Sequence, residues 1–133
     1  MKKVFFKKVI AQTPDDLRII SALCSEAKVK QSDIKFLKNN RVFLMPIKRI
    51  DKENEKTTTL LSILKFDFID NTKAKNINQT NEDNVLELLT IDIFKKENIF
   101  EIILLFLNNR AITLETEVVE VVLEDIKQND KSN

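Results

Sequence analysis

The stretch of residues 85–126 contains three apolar runs separated by short polar segments: VLELLTIDIF (85–94), FEIILLFL (100–107) and AITLETEVVEVVL (111–123). Over Ile112–Glu117, apolar or small side chains alternate with polar ones, which is the period of two of a half-buried strand. Phe100–Leu107 is apolar on both faces except at Glu101. We therefore expect this second run at the centre of a sheet or beneath a partner, with the rest of the chain packed against the same sheet.

The segment between the second and third runs, Leu107–Arg110, predicts a hairpin turn. It contains Asn108 and Asn109, and the chain has no glycine at all. Asparagine is the non-glycine residue that best tolerates a positive φ, so these two residues are expected to form the turn. The lack of glycine also excludes a glycine-rich phosphate-binding loop.

A helix is predicted after the first short strand. Thr13 is a natural N-cap, Pro14 fits the first helical position, and Asp15 and Asp16 lie in the first turn, where the helix dipole favours negative charge. Their position in the first helical turn explains the two aspartates structurally. We therefore do not interpret them as a pair of catalytic acids. Apolar residues then recur at helical spacing, which predicts an amphipathic helix over Pro14–Ala27 with one buried stripe: Leu17, Ile20, Leu23, Cys24 and Ala27.

Four further segments are predicted to be strands: Phe5–Ala11, Lys28–Lys38, Arg41–Ile50 and Thr57–Ile69. Pro46 cannot donate a ladder hydrogen bond, so the strand that contains it is expected to be an edge strand or a bulged one. In the last of the four, we expect these side chains on the core side: Leu60, Leu64, Phe66 and Phe68.

Two segments are less regular. A short strand around Lys73 and Lys75 is expected to end at Ile77. Glu117–Ile126 fits either a strand or a helix, and its density of valine favours a strand.

Together these elements predict an α+β fold: a mostly antiparallel, curved β-sheet or roll of about seven strands with one N-terminal amphipathic helix. The alternative is a pleckstrin-homology-like barrel, which a helix after Glu117 would support. A chain of 133 residues has the length of one domain. We expect a single globular domain over residues 1–126 and a flexible C-terminal tail over 127–133.

The composition excludes several kinds of active site. Histidine is absent and Cys24 is the single cysteine, so Ser-His-Asp and Cys-His catalysis are excluded and only an oxygen-rich metal site would be available. We expect no cofactor and no metal, and the balance leans against an enzyme. One acidic cluster is expected to be a solvated face, with a weak divalent-cation site or a surface for a basic partner as the alternative: Glu115, Glu117, Glu120, Glu124 and Asp125.

The net charge of +1 is unevenly distributed, since residues 1–56 carry 14 Lys and Arg against 7 Asp and Glu, and residues 57–133 carry 8 against 14. We expect the two halves to attract each other or a second copy, with a basic phosphate-binding patch as the alternative. Lys7 and Lys8 interrupt the apolar run at the start, so no signal peptide is predicted, and no apolar stretch approaches a membrane span. With no internal disulfide available, a cytoplasmic protein is expected.

Four segments follow one another in this order: DDLRIISALCSEA (15–27), LKFDFI (64–69), VLELLTI (85–91) and AITLETEVVEVVLEDI (111–126). Their order and spacing resemble a bacterial uncharacterised family, domain of unknown function number 2948. Relatives carry a similar last strand after a glycine-rich turn. They differ in having an Asn-Arg-aromatic-Arg-Trp-like run in place of Pro46–Ile50, where only Arg49 is shared, and an arginine in place of Asp92. The family has no assigned activity, so the resemblance implies fold boundaries and a bacterial context but no function.

The leading functional prediction is a non-enzymatic binding or adaptor module that works through a sheet surface, with an unknown protein partner or a second copy. The alternative is a small-molecule-binding protein or enzyme with a pocket between helix and sheet. A nucleic-acid-binding domain comes third, because the nine phenylalanines mostly fall on apolar faces rather than among basic residues. The candidate interaction surface comprises Arg49, Lys73, Lys75, Glu115 and Glu117.

Overall fold

A computed structural model describes residues 6–51, 58–78, 80 and 83–128. Within them the chain forms one α-helix, α1 (Pro14–Cys24), and ten strands: β1 (Lys8–Ala11), β2 (Lys28–Lys30), β3 (Lys35–Leu37), β4 (Val42–Ile50), β5 (Thr59–Phe66), β6 (Ile69–Lys75), β7 (Val85–Lys96), β8 (Ile99–Phe106), β9 (Arg110–Thr116) and β10 (Val121–Gln128). The predicted α+β class with one N-terminal helix and a curved antiparallel sheet is confirmed.

The strands form one antiparallel sheet in the order β1-β10-β5-β4-β2-β7-β8-β9-β6, with β3 paired to β4 beside this path. The described strands number ten rather than about seven. One reason is that Lys28–Lys38 is split into β2 and β3 by a 3₁₀ turn at Gln31–Asp33. The other is that both irregular segments of the sequence, around Lys73 and after Glu117, are strands, β6 and β10. The helix that would have supported a pleckstrin-homology-like barrel is therefore not formed there.

The capped start of α1 is confirmed: the Thr13 side chain accepts a hydrogen bond from the Asp16 amide at 3.1 Å. The helix ends at Cys24 rather than at Ala27, and Glu26 has a positive φ of 70°. Ser21 accepts a hydrogen bond from the Ile91 amide at 2.9 Å. The helix therefore satisfies a backbone donor at the part of β7 that β2 does not pair, while Leu17, Ile20 and Cys24 are buried.

The core lies on the inward face of the rolled sheet. In β5, Leu60, Leu64 and Phe66 are fully buried, as predicted. Phe68 is not: it is 46% exposed and has a φ of 63°, because β5 ends at Phe66 and the chain turns into β6. Its inward placement was therefore a wrong prediction.

The predicted turn after β8 is confirmed, with φ values of 69° at Asn108 and 58° at Asn109. Pro46 lies in an internal strand rather than an edge strand. Its neighbour on one side is interrupted, however, since β2 pairs with β4 at Lys48 and β3 pairs only from Leu44 to Val42. A proline without an amide donor is tolerated at such a gap.

The segment expected to be a tail begins within β10, which continues through Gln128; residues 129–133 lie outside the described part of the chain. The predicted starts of the first strand at Phe5 and of the fourth at Thr57 also fall on residues that are not described. None of the described helices is long and apolar enough to cross a membrane.

Candidate functional site

An ion pair joins β4 and β10 inside the roll. Arg49 donates from Nε to Asp125 Oδ1 at 2.9 Å and from Nη2 to Oδ2 at 2.7 Å, and the two side chains are 1% and 0% exposed. Ser62 on β5 donates to Oδ1 at 2.6 Å, and the Lys7 amide donates to Oδ2 at 2.8 Å. One carboxylate therefore connects β4, β5, β10 and the chain that leads into β1.

The pair is held in its charged form. Burial alone would raise the pKa of Asp125, but hydrogen bonds from Arg49, Ser62 and the Lys7 amide, with the charge of Arg49, outweigh it and hold that pKa below its ordinary value. Burial likewise would lower the pKa of Arg49, but its hydrogen bond to Asp125 and the negative charge there raise it. A carboxylate and a guanidinium that keep their charges and bind each other are suited to holding strands together rather than to exchanging protons.

The outward faces of the same strands form a groove of about 620 Å³. Strands β2, β4, β5 and β10 contribute most of it, with one wall from the turn after β2 and one residue from β7. The lining residues are Lys28, Val29, Lys30, Asp33, Pro46, Ile47, Lys48, Leu61, Ser62, Ile63, Val85 and Ile126. We call this surface the groove.

The floor of the groove is apolar and accessible. Pro46 and Ile63 are opposite each other on β4 and β5. Leu61 lies two residues before Ile63, on the same outward face of β5. Ile126 sits where the register between β10 and β5 shifts, and it is 49% exposed; Val85, at the start of β7, is 55% exposed. Covering apolar side chains of this size with a ligand is favourable, because it removes apolar surface from water.

A basic row crosses the groove. Lys28 and Lys48 line the groove, and Lys127 lies outside the lining, next to Ile126. The strand registers place Lys28 opposite Lys48, Lys48 opposite Leu61, and Leu61 opposite Lys127. Four adjacent strands therefore present three lysines in one row over a span of roughly 14 Å, since neighbouring strands lie about 4.8 Å apart. We call Lys28, Lys48 and Lys127 the lysine row.

The lysine row has little compensating charge. None of its members forms an ion pair with any residue that the structure describes, whereas the neighbouring Lys30 lies 3.7 Å from Asp83. Two carboxylates are near: Asp33 lies in the groove wall, and Glu87 on β7 is the register partner of Lys28 and continues the row. Neither forms an ion pair with a lysine of the row. Like charges directly opposite on adjacent strands cost stability, so the Lys28–Lys48 pair is a position where a bound anion would be favourable.

The residues of the predicted interaction surface are only partly brought together. Lys73 on β6 and Glu115 on β9 lie 3.9 Å apart on the outward face of the second half of the sheet, and Lys75 lies on the same face opposite Ala111. Glu117 is exposed at the bend after β9. Arg49 lies elsewhere and is buried against Asp125, so it is not available at a surface.

A small cavity does lie between helix and sheet, where one of the predictions placed a pocket. It encloses about 270 Å³ and is lined by Leu17 and Arg18 of α1 and by residues 91–94 of β7. The groove has more than twice this volume. Within the described residues, no group of three or more acidic or cysteine side chains is placed to hold a metal ion.

Sequence reasoning missed the groove but contained part of the signal for it. Phe43, Met45 and Ile47 face inward, so continued alternation places Arg49 inside and Lys48 outside. The same alternation places Asp125 inside, after Val121 and Leu123. Nothing in the sequence indicates that Lys28 pairs with Lys48, because β2 and β4 are not joined by a hairpin that would fix their register.

The comparisons with known proteins identify a family. The profile of the family described as "Protein of unknown function (DUF2948)" matches residues 7–133, nearly the whole chain, and the chain belongs to that family. No curated protein matches the chain. No solved structure matches it either.

Proposed function

We propose that this member of a family of unknown function is a non-enzymatic binding module whose groove holds an extended, acidic and apolar segment of a partner protein. The observation that carries this proposal is the lysine row beside an exposed apolar floor. A ligand complementary to the lysines and to the apolar floor has negative charges on one side and apolar groups on the other.

The dimensions of the lysine row favour an extended segment over a ligand with one anionic group. The row spans roughly 14 Å, which corresponds to about four residues of extended chain at about 3.3 Å per residue. A single carboxylate or phosphate reaches Lys28 and Lys48 but not Lys127 on the far side of Leu61. Several carboxylates spaced along one strand satisfy all three lysines.

A second copy of the chain is a poor occupant, because two concave surfaces facing each other leave a gap. A separate partner segment is therefore the occupant we propose.

Nucleic acid is a weaker candidate for the same surface. Lysines attract phosphates, but single-stranded nucleic acid also needs aromatic side chains on which bases stack. All of the described residues that line the groove are aliphatic, polar or charged. The lining thus favours a ligand whose apolar groups are aliphatic.

The proposal is tested by titrating a fluorescein-labelled probe peptide, Asp-Leu-Asp-Leu-Glu-Leu, against the protein and measuring fluorescence anisotropy. We expect saturable binding that weakens as salt is raised, since the lysines are exposed. The substitution Lys48→Glu should weaken binding about 10-fold or more, because it places a negative charge at the centre of the lysine row.

Lys65→Glu is the matched control. Lys65 is exposed on β5, the strand that carries Leu61 and Ile63, but it lies outside the groove and pairs with Asp67 at 3.8 Å. This variant should bind the probe as the unchanged protein does. Equal weakening in both variants would contradict the groove, as would tighter binding of a Lys-Leu-Lys-Leu-Lys-Leu peptide. Displacement of the probe by a short oligonucleotide or by a fatty acid, at lower concentration than by unlabelled peptide, would favour those ligands instead.

A further inference from the structure

The outward face of the second half of the sheet, β6-β9-β8-β7, is distinct from the groove and has a regular pattern of charge and size. Strand β8 lies between β7 and β9, and its inward side chains Ile102, Leu104 and Phe106 are buried. Its outward side chains Ile103 and Leu105 are half-buried, although they are as apolar as the core. We call this surface the sheet face.

The central row of the sheet face has opposite charges at its two ends. The registers place Lys73 opposite Thr113, Thr113 opposite Ile103, and Ile103 opposite Asp92. The row therefore reads positive, polar, apolar, negative from β6 to β7.

The next row has a small residue beside a large one. Lys75 is opposite Ala111, Ala111 is opposite Leu105, and Leu105 is opposite Thr90. A small side chain next to a large one leaves a recess that a large side chain of a facing surface can fill.

We infer that the sheet face is the interface of a homodimer with a two-fold axis parallel to the strands, between β8 and β9. This rotation lays β6 of one copy over β7 of the other and keeps each row in line. Lys73 then faces Asp92 of the second copy, and Leu105 faces Ala111. Both contacts occur twice, as the symmetry of an isologous dimer requires.

The third row is the least favourable part of this arrangement. It brings Glu115 over Glu101 of the second copy, and these two residues are already opposite each other within one chain. Lys96, 3.1 Å from Glu101, offsets part of the repulsion, whereas Lys73 is shared between Glu115, 3.9 Å away, and Asp92 of the second copy. The third row therefore weakens the dimer.

The size of the sheet face predicts a weak dimer. Four strands about 4.8 Å apart and three rows give roughly 400 Å² of sheet area on each copy. A stable interface of standard size buries about 800 Å² on each partner, so the dimer should form in a concentration-dependent equilibrium.

The test is a charge swap followed by analytical ultracentrifugation. In Lys73→Glu the introduced carboxylate faces Asp92 of the second copy, and in Asp92→Lys the introduced ammonium group faces Lys73. Each variant alone should therefore dimerise about 10-fold more weakly than the unchanged protein or worse. In an equimolar mixture, the heterodimer sets the introduced carboxylate against the introduced ammonium group and the remaining Asp92 against the remaining Lys73. Both facing pairs are then of opposite charge, so the mixture should form heterodimers with close to the original affinity.

Two further variants complete the test. Leu105→Lys, at the centre of the face, should give a folded monomer by circular dichroism and sedimentation, because Leu105 is only half-buried. Lys65→Glu, which breaks an exposed intrachain pair away from the face, should leave the dimer unchanged. The inference is overturned if the unchanged protein sediments as a monomer at all concentrations, or if the mixture is as weak as each variant alone. Probe binding at the groove uses none of these residues, so it succeeds or fails independently.

Discussion

The inward and outward faces of β4, β5 and β10 differ in how their charges are balanced. On the inward face, Arg49 and Asp125 bind each other through two hydrogen bonds, and the Ser62 hydroxyl donates a further hydrogen bond to the Asp125 carboxylate. On the outward face of the same strands, Lys48 and Lys127 point to solvent without a described carboxylate partner. The alternation of a strand thus places a fully satisfied ion pair within one residue of an unsatisfied basic row.

The difference follows from the unequal cost of an unpaired charge on the two faces of these strands. A buried charge without a partner costs several kcal/mol, so the inward charges had to be paired for the chain to fold. An exposed lysine costs little by itself, and a like-charge neighbour costs only about 0.2–1 kcal/mol. Residues whose placement costs stability without any gain in the fold are those in which we expect function.

The largest effect is expected at the inward pair. Asp125→Asn leaves the buried Arg49 guanidinium without the carboxylate that binds it through two hydrogen bonds. Unfolding in urea should show a loss of about 3–5 kcal/mol in the free energy of unfolding. Asp67→Asn, which breaks the exposed pair with Lys65, should cost less than about 1 kcal/mol. Equal losses in the two variants would show that burial of the pair is unimportant.

A smaller effect is expected at Ser62. Its hydroxyl donates to Asp125 Oδ1 at 2.6 Å in the buried interior, and hydrogen bonds to charged groups contribute about 1.5–3 kcal/mol. Ser62→Ala should therefore lower the free energy of unfolding by about 2 kcal/mol in urea or thermal denaturation. Ser62→Thr keeps the hydroxyl and should lose less, and equal losses in the two variants would refute the assigned role of this hydrogen bond.

The pH dependence of stability should also follow the inward pair. Because the pKa of Asp125 in the folded protein lies below that of the unfolded chain, its contribution is fully present above the unfolded value of about 3.9. It is lost as the pH falls through the folded value, since the unfolded chain binds the proton more readily. Free energies of unfolding measured from neutral pH into this acid range should fall less for Asp125→Asn than for the unchanged protein, and parallel curves would argue against the assignment.

The smallest effect on stability should have the opposite sign. Lys48→Glu replaces a like-charge pair with Lys28 by an attractive one, so the free energy of unfolding should rise by about 0.5 kcal/mol while probe binding is lost. Thermal denaturation at low salt measures the gain, and high salt should remove it. A variant that is destabilised by this substitution would mean that Lys48 serves the fold rather than a ligand.

Local signals in the sequence predicted much of the fold. The N-cap Thr13 with Pro14, and the paired asparagines after β8, specify backbone geometry by themselves, and the structure follows both. Phe68 shows where such reasoning ends, since period-two alternation placed it inward although β5 had already stopped at Phe66. The length of a strand depends on its neighbours rather than on its own residues.

The candidate site was less predictable, for a physical reason. The alternation of side chains along β4 predicts that Lys48 faces away from Arg49, but it does not predict which lysines of other strands lie next to Lys48. That depends on the register of β2 against β4 and of β10 against β5, which bring together residues 20 and 66 positions apart in the chain. Composition excluded only catalysis that depends on histidine, because the chain contains none.

The most direct test of the account is to map the probe peptide onto the protein by ¹⁵N chemical-shift perturbation. We predict that the amides that shift on titration cluster at Lys28, Lys48 and Leu61, on the outward face beside the groove, while Lys73 and Leu105 on the sheet face stay unchanged. Perturbations confined to the sheet face or to the cavity beside Arg18, or a spectrum unchanged at saturating peptide, would contradict the claim that the unpaired lysines of the groove form the binding site.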